Sequence, residues 1–212
     1  MDNQIELTGM VLSAMPVGDY NKRLVILTGE AGKITVFARG AKKPGSKFMG
    51  STEPFCFGKF KLIKGKDAYT LTDVNISRHF EELRSDYEAT IYALYFMEIA
   101  DFYTRENMEA YEEINLLYAS FLALISDKFD HRVVRAVYEA KSLVIAGEYP
   151  GLFPNRVYSN TIRYTYDFIA GAEIKKLYSF AVEEDVAVQM AEISSDMIRK
   201  ITGHKFKSTD LL

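Results

Sequence analysis

Cysteine is nearly absent from this 212-residue chain: Cys56 is the only one. A single thiol excludes an intrachain disulfide and any zinc site built on cysteine pairs, and it fits a reducing, cytoplasmic setting. Long apolar runs are absent too. No stretch approaches the roughly 18 apolar residues that crossing a bilayer takes, so no membrane segment is expected. The opening M-D-N-Q-I-E-L has no basic stretch followed by an apolar one, and no signal peptide is expected. Histidine is scarce. His79, His131 and His204 stand far apart without metal-ligand spacing, and each reads as a surface or capping residue. The phosphate loop G-x-x-x-x-G-K-[ST], H-E-x-x-H and G-x-S-x-G do not occur. Cys56 sits in the apolar triplet F-C-F and reads as an inert buried thiol. Acidic residues are spread evenly over helix-like segments, and no carboxylate pair stands out. No catalytic set, metal site or cofactor is expected, and the chain reads as a non-enzyme.

What is present is an ordinary globular composition, 48% hydrophobic and 26% charged, in a chain long enough for one or two buried cores. The net charge of −3 hides a division. Residues 1–80 carry 12 Lys and Arg against 7 Asp and Glu, a net of +5, while residues 81–212 carry 14 against 22, a net of −8. A basic unit joined to an acidic remainder is the footprint of a nucleic-acid-binding module on a non-binding body. The basic residues concentrate between Lys33 and Lys66, where nine cations meet one acid, Glu53.

The first 80 residues read as strands. Segments 6–15, 23–28, 33–39, 55–64 and 69–77 have strand character. Gly29 and Gly32 bracket a tight turn, and Ile34, Val36 and Ala38 alternate with Lys33, Thr35, Phe37 and Arg39. Residues 40–53 form a Gly/Pro-rich loop. Five strands without an intervening helix are most simply accommodated by a small closed barrel, and the OB-fold is the five-stranded form that commonly binds oligonucleotides. Phe37, Phe55, Phe57 and Phe60 are expected to fill the barrel or pack beside it. Phe48, inside the basic loop, is the aromatic expected to stack on a base. Lys42, Lys43 and Lys47 lie on this loop with no acid nearby in sequence and are expected to meet phosphates.

Past His79 the pattern changes to a period of 3.6. Residues 86–104, with Tyr87, Ile91, Leu94, Tyr95, Ile99 and Phe102 on one face, read as a long helix. Further helices are expected at 109–126, 131–146 and 183–202, with Gly147 and Gly203 closing the last two. Residues 150–168 read as loop or short strand, and 171–180 as one short helical turn. The expected fold is therefore α+β: an OB-fold domain over 1–80, then a mostly helical domain over 81–212.

These residues resemble a known family, the RecO recombination-mediator proteins of bacterial DNA repair. The resemblance rests on T-G-M-V-L-S, L-T-G-E-A-G-K-I-T-V-F-A-R-G-A-K-K-P-G-S-K, G-K-D-A-Y-T-L-T-D-V, L-R-S-D-Y-E-A-T-I-Y-A-L-Y-F-M-E, V-Y-E-A-K-S-L-V-I-A-G-E-Y-P and the terminal F-K-S, which follow in order along nearly the whole chain. Many members carry a four-cysteine zinc module between the glycine turn and the last helix. Here that interval, near 150–177, contains no cysteine, and apolar packing by Phe153, Tyr158, Tyr164, Tyr166 and Phe168 is expected in place of metal.

The resemblance implies a non-enzymatic cytoplasmic protein, nucleoid-associated during repair. It would bind single- and double-stranded DNA, anneal complementary strands, and work with RecR and the single-strand binding protein to load RecA. Lys33, Arg39, Lys42, Lys43 and Lys47 carry over as phosphate contacts, with Lys22 and Arg23 in the first loop. Lys59 and Lys61, and beyond them Lys64 and Lys66, rest on charge alone. The family also binds the acidic, apolar C-terminal tail of the single-strand binding protein on its helical part. Arg132 and Arg135, with Tyr138 and Lys141, are the local candidates; a solvated basic edge on a core helix explains them as well. A protein-interaction adaptor whose barrel has lost DNA binding is the alternative function.

Overall fold

The alternation at 33–39 becomes strand β3 (Gly32–Ala38) in the computed structural model, which describes residues 4–212. Ile34, Val36 and Ala38 are buried, while Phe37 and Arg39 face outward. With β1 (Gln4–Val17), β2 (Asn21–Thr28), β4 (Phe57–Lys64) and β5 (Tyr69–Arg78), β3 closes an OB-fold barrel in the order β1-β2-β3-β5-β4. Closure needs one long strand. β1 pairs with β4 through Gln4–Met10 and with β2 through Gly9–Val17, bending at a bulge between Val11 and Ser13. The joint between β3 and β5 is short and parallel, held by Val36↔Tyr69 and Phe37↔Thr70. Leu24, Ile26, Ile34, Val36, Phe60 and Leu62 fill the interior and are fully buried.

The fourth strand starts at Phe57 and not at 55. Phe55 adopts φ of 73°, and the chain turns there: Phe55 N–H donates to Val11 O and Val11 N–H to Cys56 O. Cys56 is buried, as expected, with its thiol 3.2 Å from Gly50 O and 3.6 Å from His79 Nδ1.

The chain forms two compact units. The barrel, through Glu81, is joined by Ala100–Ile114. This second segment lies on the β2–β3 turn, where Asn107 N–H donates to Ala31 O, Ala110 N–H to Gly29 O and Lys33 N–H to Arg105 O. Gly32 has φ of +65°, and a methyl group there would run into the carbonyl oxygens of Arg105 and Met108.

The other unit comprises Glu82–Ile99 and Asn115–Leu212. The helices are α1 (Glu81–Ser85), α2 (Tyr87–Tyr103), α3 (Tyr111–Leu124), α4 (His131–Ile145), α5 (Asn160–Gly171) and α6 (Glu184–Thr202). Asp130 caps α4, its carboxylate accepting from Arg132 N–H, and Gly203 closes α6 at φ of 58°. Among the described residues no helix is long and apolar enough to cross a membrane.

Two expectations are corrected. Tyr87 is 78% exposed, because it begins α2 just after Asp86, whose carboxylate caps Ala89 N–H. Residues 150–168 are not loop or strand throughout: α5 begins at Asn160. Its aromatic and β-branched residues suggest a period of two, yet Ile162, Tyr166 and Ile169 share one buried helical face and the Ser159 hydroxyl accepts from Ile162 N–H. Tyr166 anchors that face, its hydroxyl bonding Met190 O at 2.9 Å and Ser194 Oγ at 2.7 Å.

The interval 151–177 has no thiolate to offer and does not fit a four-cysteine zinc centre. It is held by organic contacts. Phe153 lies under Lys200 Nζ at 4.4 Å and the Arg156 guanidinium at 5.7 Å, and Arg156 pairs with Asp196. Tyr164, at 76% exposed, takes no part in this packing. The terminal F-K-S ties down the chain end: Phe206 is buried edge-on to Tyr95, and Ser208 N–H donates to Glu98.

Candidate nucleic-acid interface

Three connections meet at one end of the barrel. The register pairs Val17 with Asn21, Lys22 with Ala38, Val36 with Tyr69, and Tyr69 with Lys64. The β1–β2 turn, the exit of β3 into the loop at 39–56 and the β4–β5 turn are therefore neighbours. In an OB-fold such loops flank the strand surface that takes oligonucleotides.

The loop at 39–56 is a succession of turns. Lys43 N–H donates to Gly40 O, Ser46 N–H to Lys43 O and Met49 N–H to Ser46 O. It is pinned to the first turn, since Lys42 N–H donates to Tyr20 O and the Asn21 side-chain carbonyl accepts from Gly40 N–H, both at 2.9 Å. Ala41 and Phe48 anchor it from below, inside the barrel core. Phe48 is 8% exposed, so its ring cannot receive a base, which corrects the role expected for it. The apolar side chain on a polar loop is the loop's attachment point.

The cations divide by whether they meet a carboxylate. Lys22 pairs with Glu53 and is mostly covered. Lys33 reaches the Asp101 carboxylate at 3.0 Å and the Asp101 carbonyl at 2.6 Å. Lys59 pairs with Glu6 at 3.1 Å, and Lys61 lies 3.8 Å from Asp73. Lys47 donates to Asp73 at 2.9 Å, although its sequence neighbourhood contains no acid. The Lys47 ammonium, with Val74 N–H and Lys61 also contributing, holds the Asp73 carboxyl below the usual carboxylate range. These surface pairs are individually weak, yet each dilutes the positive potential that a phosphate would feel.

Arg23, Arg39, Lys42, Lys43, Lys64 and Lys66 are exposed and meet no carboxylate among the described residues. Arg23 leans toward Thr35 Oγ1 at 3.5 Å, and Lys43 and Lys64 lie over the rings of Tyr20 and Tyr69 at 5.5 and 5.9 Å. Asp19 and Asp67 are the acids on the two turns. The free positive charge thus gathers on the loop's first half, the outer face of β2 and the β4–β5 turn. The lysines of β4 itself lie on a face of mixed sign. Lys64 and Lys66, which rested on charge alone, are left unpaired, whereas Lys22 and Lys47 are neutralised.

On the helical unit the four expected partner-binding residues separate. Tyr138 is buried, stacked on Phe96 at 4.2 Å with its hydroxyl donating to Phe96 O. Lys141 is buried too, and its ammonium donates to Ala170 O and Ala172 O at the end of α5. Both are structural, which corrects their expected place on a binding surface. Charged heads are rarely buried unpaired, so Lys141 earns its burial by binding those carbonyls. Arg132 pairs with Asp130 and lies 3.6 Å from Glu184. Arg135 donates to the buried Glu139 at 3.0 Å, lies over Tyr95 and lines a cavity of about 460 Å³ with Ile198, Arg199, His204 and Phe206. Reading α4 by charge alone missed the cations that α6 and the chain end bring to this cavity.

Comparison with known proteins divides the chain in sequence near residue 80, although the structure places Ala100–Ile114 with the barrel and so corrects the expected domain 81–212 at that segment. Residues 1–80 match the family model "Recombination protein O N terminal", and residues 84–154 match "Recombination protein O C terminal". The chain is 28% identical to the DNA repair protein RecO of Clostridium perfringens strain 13, over 98% of this chain and 97% of that protein. It is 28% identical to RecO of Clostridium acetobutylicum, over 96% and 95%. It is also 32% identical to RecO of Shouchella clausii, over 68% of this chain and 56% of that protein.

Proposed function

This chain belongs to the RecO family of DNA repair proteins, and from that premise we propose that it is a non-enzymatic mediator of recombination whose barrel end binds DNA. It binds single and double strands, anneals complementary strands in the bacterial cytoplasm, and with RecR helps to load RecA onto DNA coated by the single-strand binding protein. The observation that carries this reading is the cluster of Arg23, Arg39, Lys42, Lys43, Lys64 and Lys66, exposed at one barrel end and free of carboxylate partners among the described residues. Phosphates supply the counter-charge, and each one neutralised releases condensed cations to solution.

The partner peptide fits the Arg135 cavity. An acidic, apolar chain end needs an apolar recess with cations at its mouth; Tyr95, Ile198 and Phe206 stand there beside Arg135, Arg199 and Lys205, which exchange their present partners Glu139, Asp196 and Asp210 for the peptide's carboxylates. Arg132, which does not line this cavity and pairs with Asp130 and Glu184, contributes less.

A strand-annealing assay with the cognate single-strand binding protein tests DNA handling and partner together. Faster annealing of coated strands is expected; no acceleration with coated or naked strands would overturn the mediator reading. The second reading, an adaptor that no longer binds DNA, draws on the internal neutralisation of Lys22, Lys33, Lys47, Lys59 and Lys61. It predicts partner binding without annealing.

A further inference from the structure

Tyr20 has no place in the core, and the one ring contact described for it is with the Lys43 ammonium. It is 52% exposed, follows Gly18 (φ of 59°) and precedes the first residue of β2. Its backbone has a fixed position, because its carbonyl accepts from Lys42 N–H and the next residue, Asn21, holds Gly40 N–H. The ring is therefore presented from a rigid base beside the free cations of the loop, with Lys43 Nζ 5.5 Å from its centroid.

A second exposed aromatic stands on the adjoining strands. Phe37 is 36% exposed on the outer face of β3, and the register places it across from Arg23, which in turn lies across from Met15, 56% exposed. Apolar, cationic and aromatic side chains thus alternate across three strands. Aromatic faces and cations together suit one class of polyanion. Bases of a single strand are free to stack on the rings while phosphates meet the cations, whereas a duplex keeps its bases stacked on one another and offers the protein its phosphates.

We propose that Tyr20 and Phe37 are base-stacking positions for single-stranded DNA, with Arg39, Lys42 and Lys43 holding the adjoining phosphates, so that these two rings set the preference for single over double strands. The inference rests on the reading of the barrel end as a DNA-binding surface and adds strand selectivity to it. Lys43 lies over the Tyr20 ring, so a base stacking on that face moves its ammonium aside toward the adjoining phosphate.

The chain contains no tryptophan, so Tyr20→Trp introduces a single indole reporter at this position. Titrating that full-length variant with fluorescein-free oligothymidylate, and with a duplex of equal length, while following binding by anisotropy of labelled strands in parallel, tests the proposal. Quenching by the single strand and little or none by the duplex is expected. Tyr20→Leu and Phe37→Leu should each weaken single-strand binding about fivefold or more, leave duplex binding within about twofold, and Tyr20→Phe should restore it. Binding without quenching, or equal losses for both forms of DNA, overturns the stacking role while leaving the phosphate-binding surface intact. Absence of binding to either DNA by the wild type overturns the surface and the inference together.

Discussion

Lys47 Nζ stands 2.9 Å from Asp73 Oδ1, a contact between the barrel's long loop and its last strand. It removes from the free positive charge of the loop a lysine that its own sequence neighbourhood leaves unpaired. Lys42 and Lys43, on the same loop, meet no carboxylate among the described residues.

Asp73→Asn should therefore release Lys47 and relieve Lys61. Single-strand DNA binding should tighten, and the slope of log K against log salt should steepen by roughly 0.7 for each cation newly engaged. The measurement is anisotropy over a series of salt concentrations. Unchanged affinity and slope would mean that neither lysine faces the DNA path.

The barrel was legible in the sequence because local alternation fixed which residues face inward, as at Ile34, Val36 and Ala38. The charge sorting was not, because the deciding acids are remote. Lys47 meets Asp73 26 residues on, Lys59 meets Glu6 53 residues back, and Lys33 meets Asp101 68 residues on. Phe48 and Lys141 misled for a related reason. One is an apolar residue in a polar loop and the other a cation on a helix, and only the tertiary structure shows the first filling the barrel and the second capping α5. Tyr20 had a visible signal, an aromatic residue in a turn of otherwise small and polar residues, but its proximity to the basic loop depends on barrel closure.

Gly32→Ala should be costly. The residue has φ of +65°, and its Cβ would meet the backbone carbonyls of Arg105 and Met108, which cannot move aside without breaking the hydrogen bonds that hold the segment at 100–114 to the barrel. A loss of more than about 2 kcal/mol is expected by urea denaturation. A loss below about 0.5 kcal/mol would show that this segment does not press on the turn.

Tyr138→Phe separates a structural residue from a binding one. Loss of the hydroxyl bond to Phe96 O should cost about 1 kcal/mol of stability and leave binding of an acidic C-terminal peptide unchanged. Arg135→Ala should weaken that peptide's binding. Calorimetric titration of both variants checks the assignment; the reverse pattern would return Tyr138 to the binding surface.

The buried Glu139 predicts a pH dependence. Burial raises its carboxyl above the usual 4.5, against the opposing pull of Arg135 and of the Tyr95 hydroxyl. Between 4.5 and the folded value, the folded state keeps a proton that the unfolded chain has released, so stability falls as pH rises through that window. Above it the cost is fully present. Glu139→Gln has no such titration. The stability of the wild type relative to this variant should therefore decline as pH rises above 4.5 toward the raised folded-state value, in denaturant titrations. A difference independent of pH would place the carboxylate in its ordinary range.

Free cations gather at one end of the barrel, and the salt dependence of single-strand binding measures them most directly. For Arg39→Ala/Lys42→Ala/Lys43→Ala, anisotropy with a labelled oligothymidylate should give weaker binding and a log–log salt slope shallower by about 2 than that of the wild type. Wild-type affinity and an unchanged slope in this triple variant would show that these three cations do not meet the phosphates.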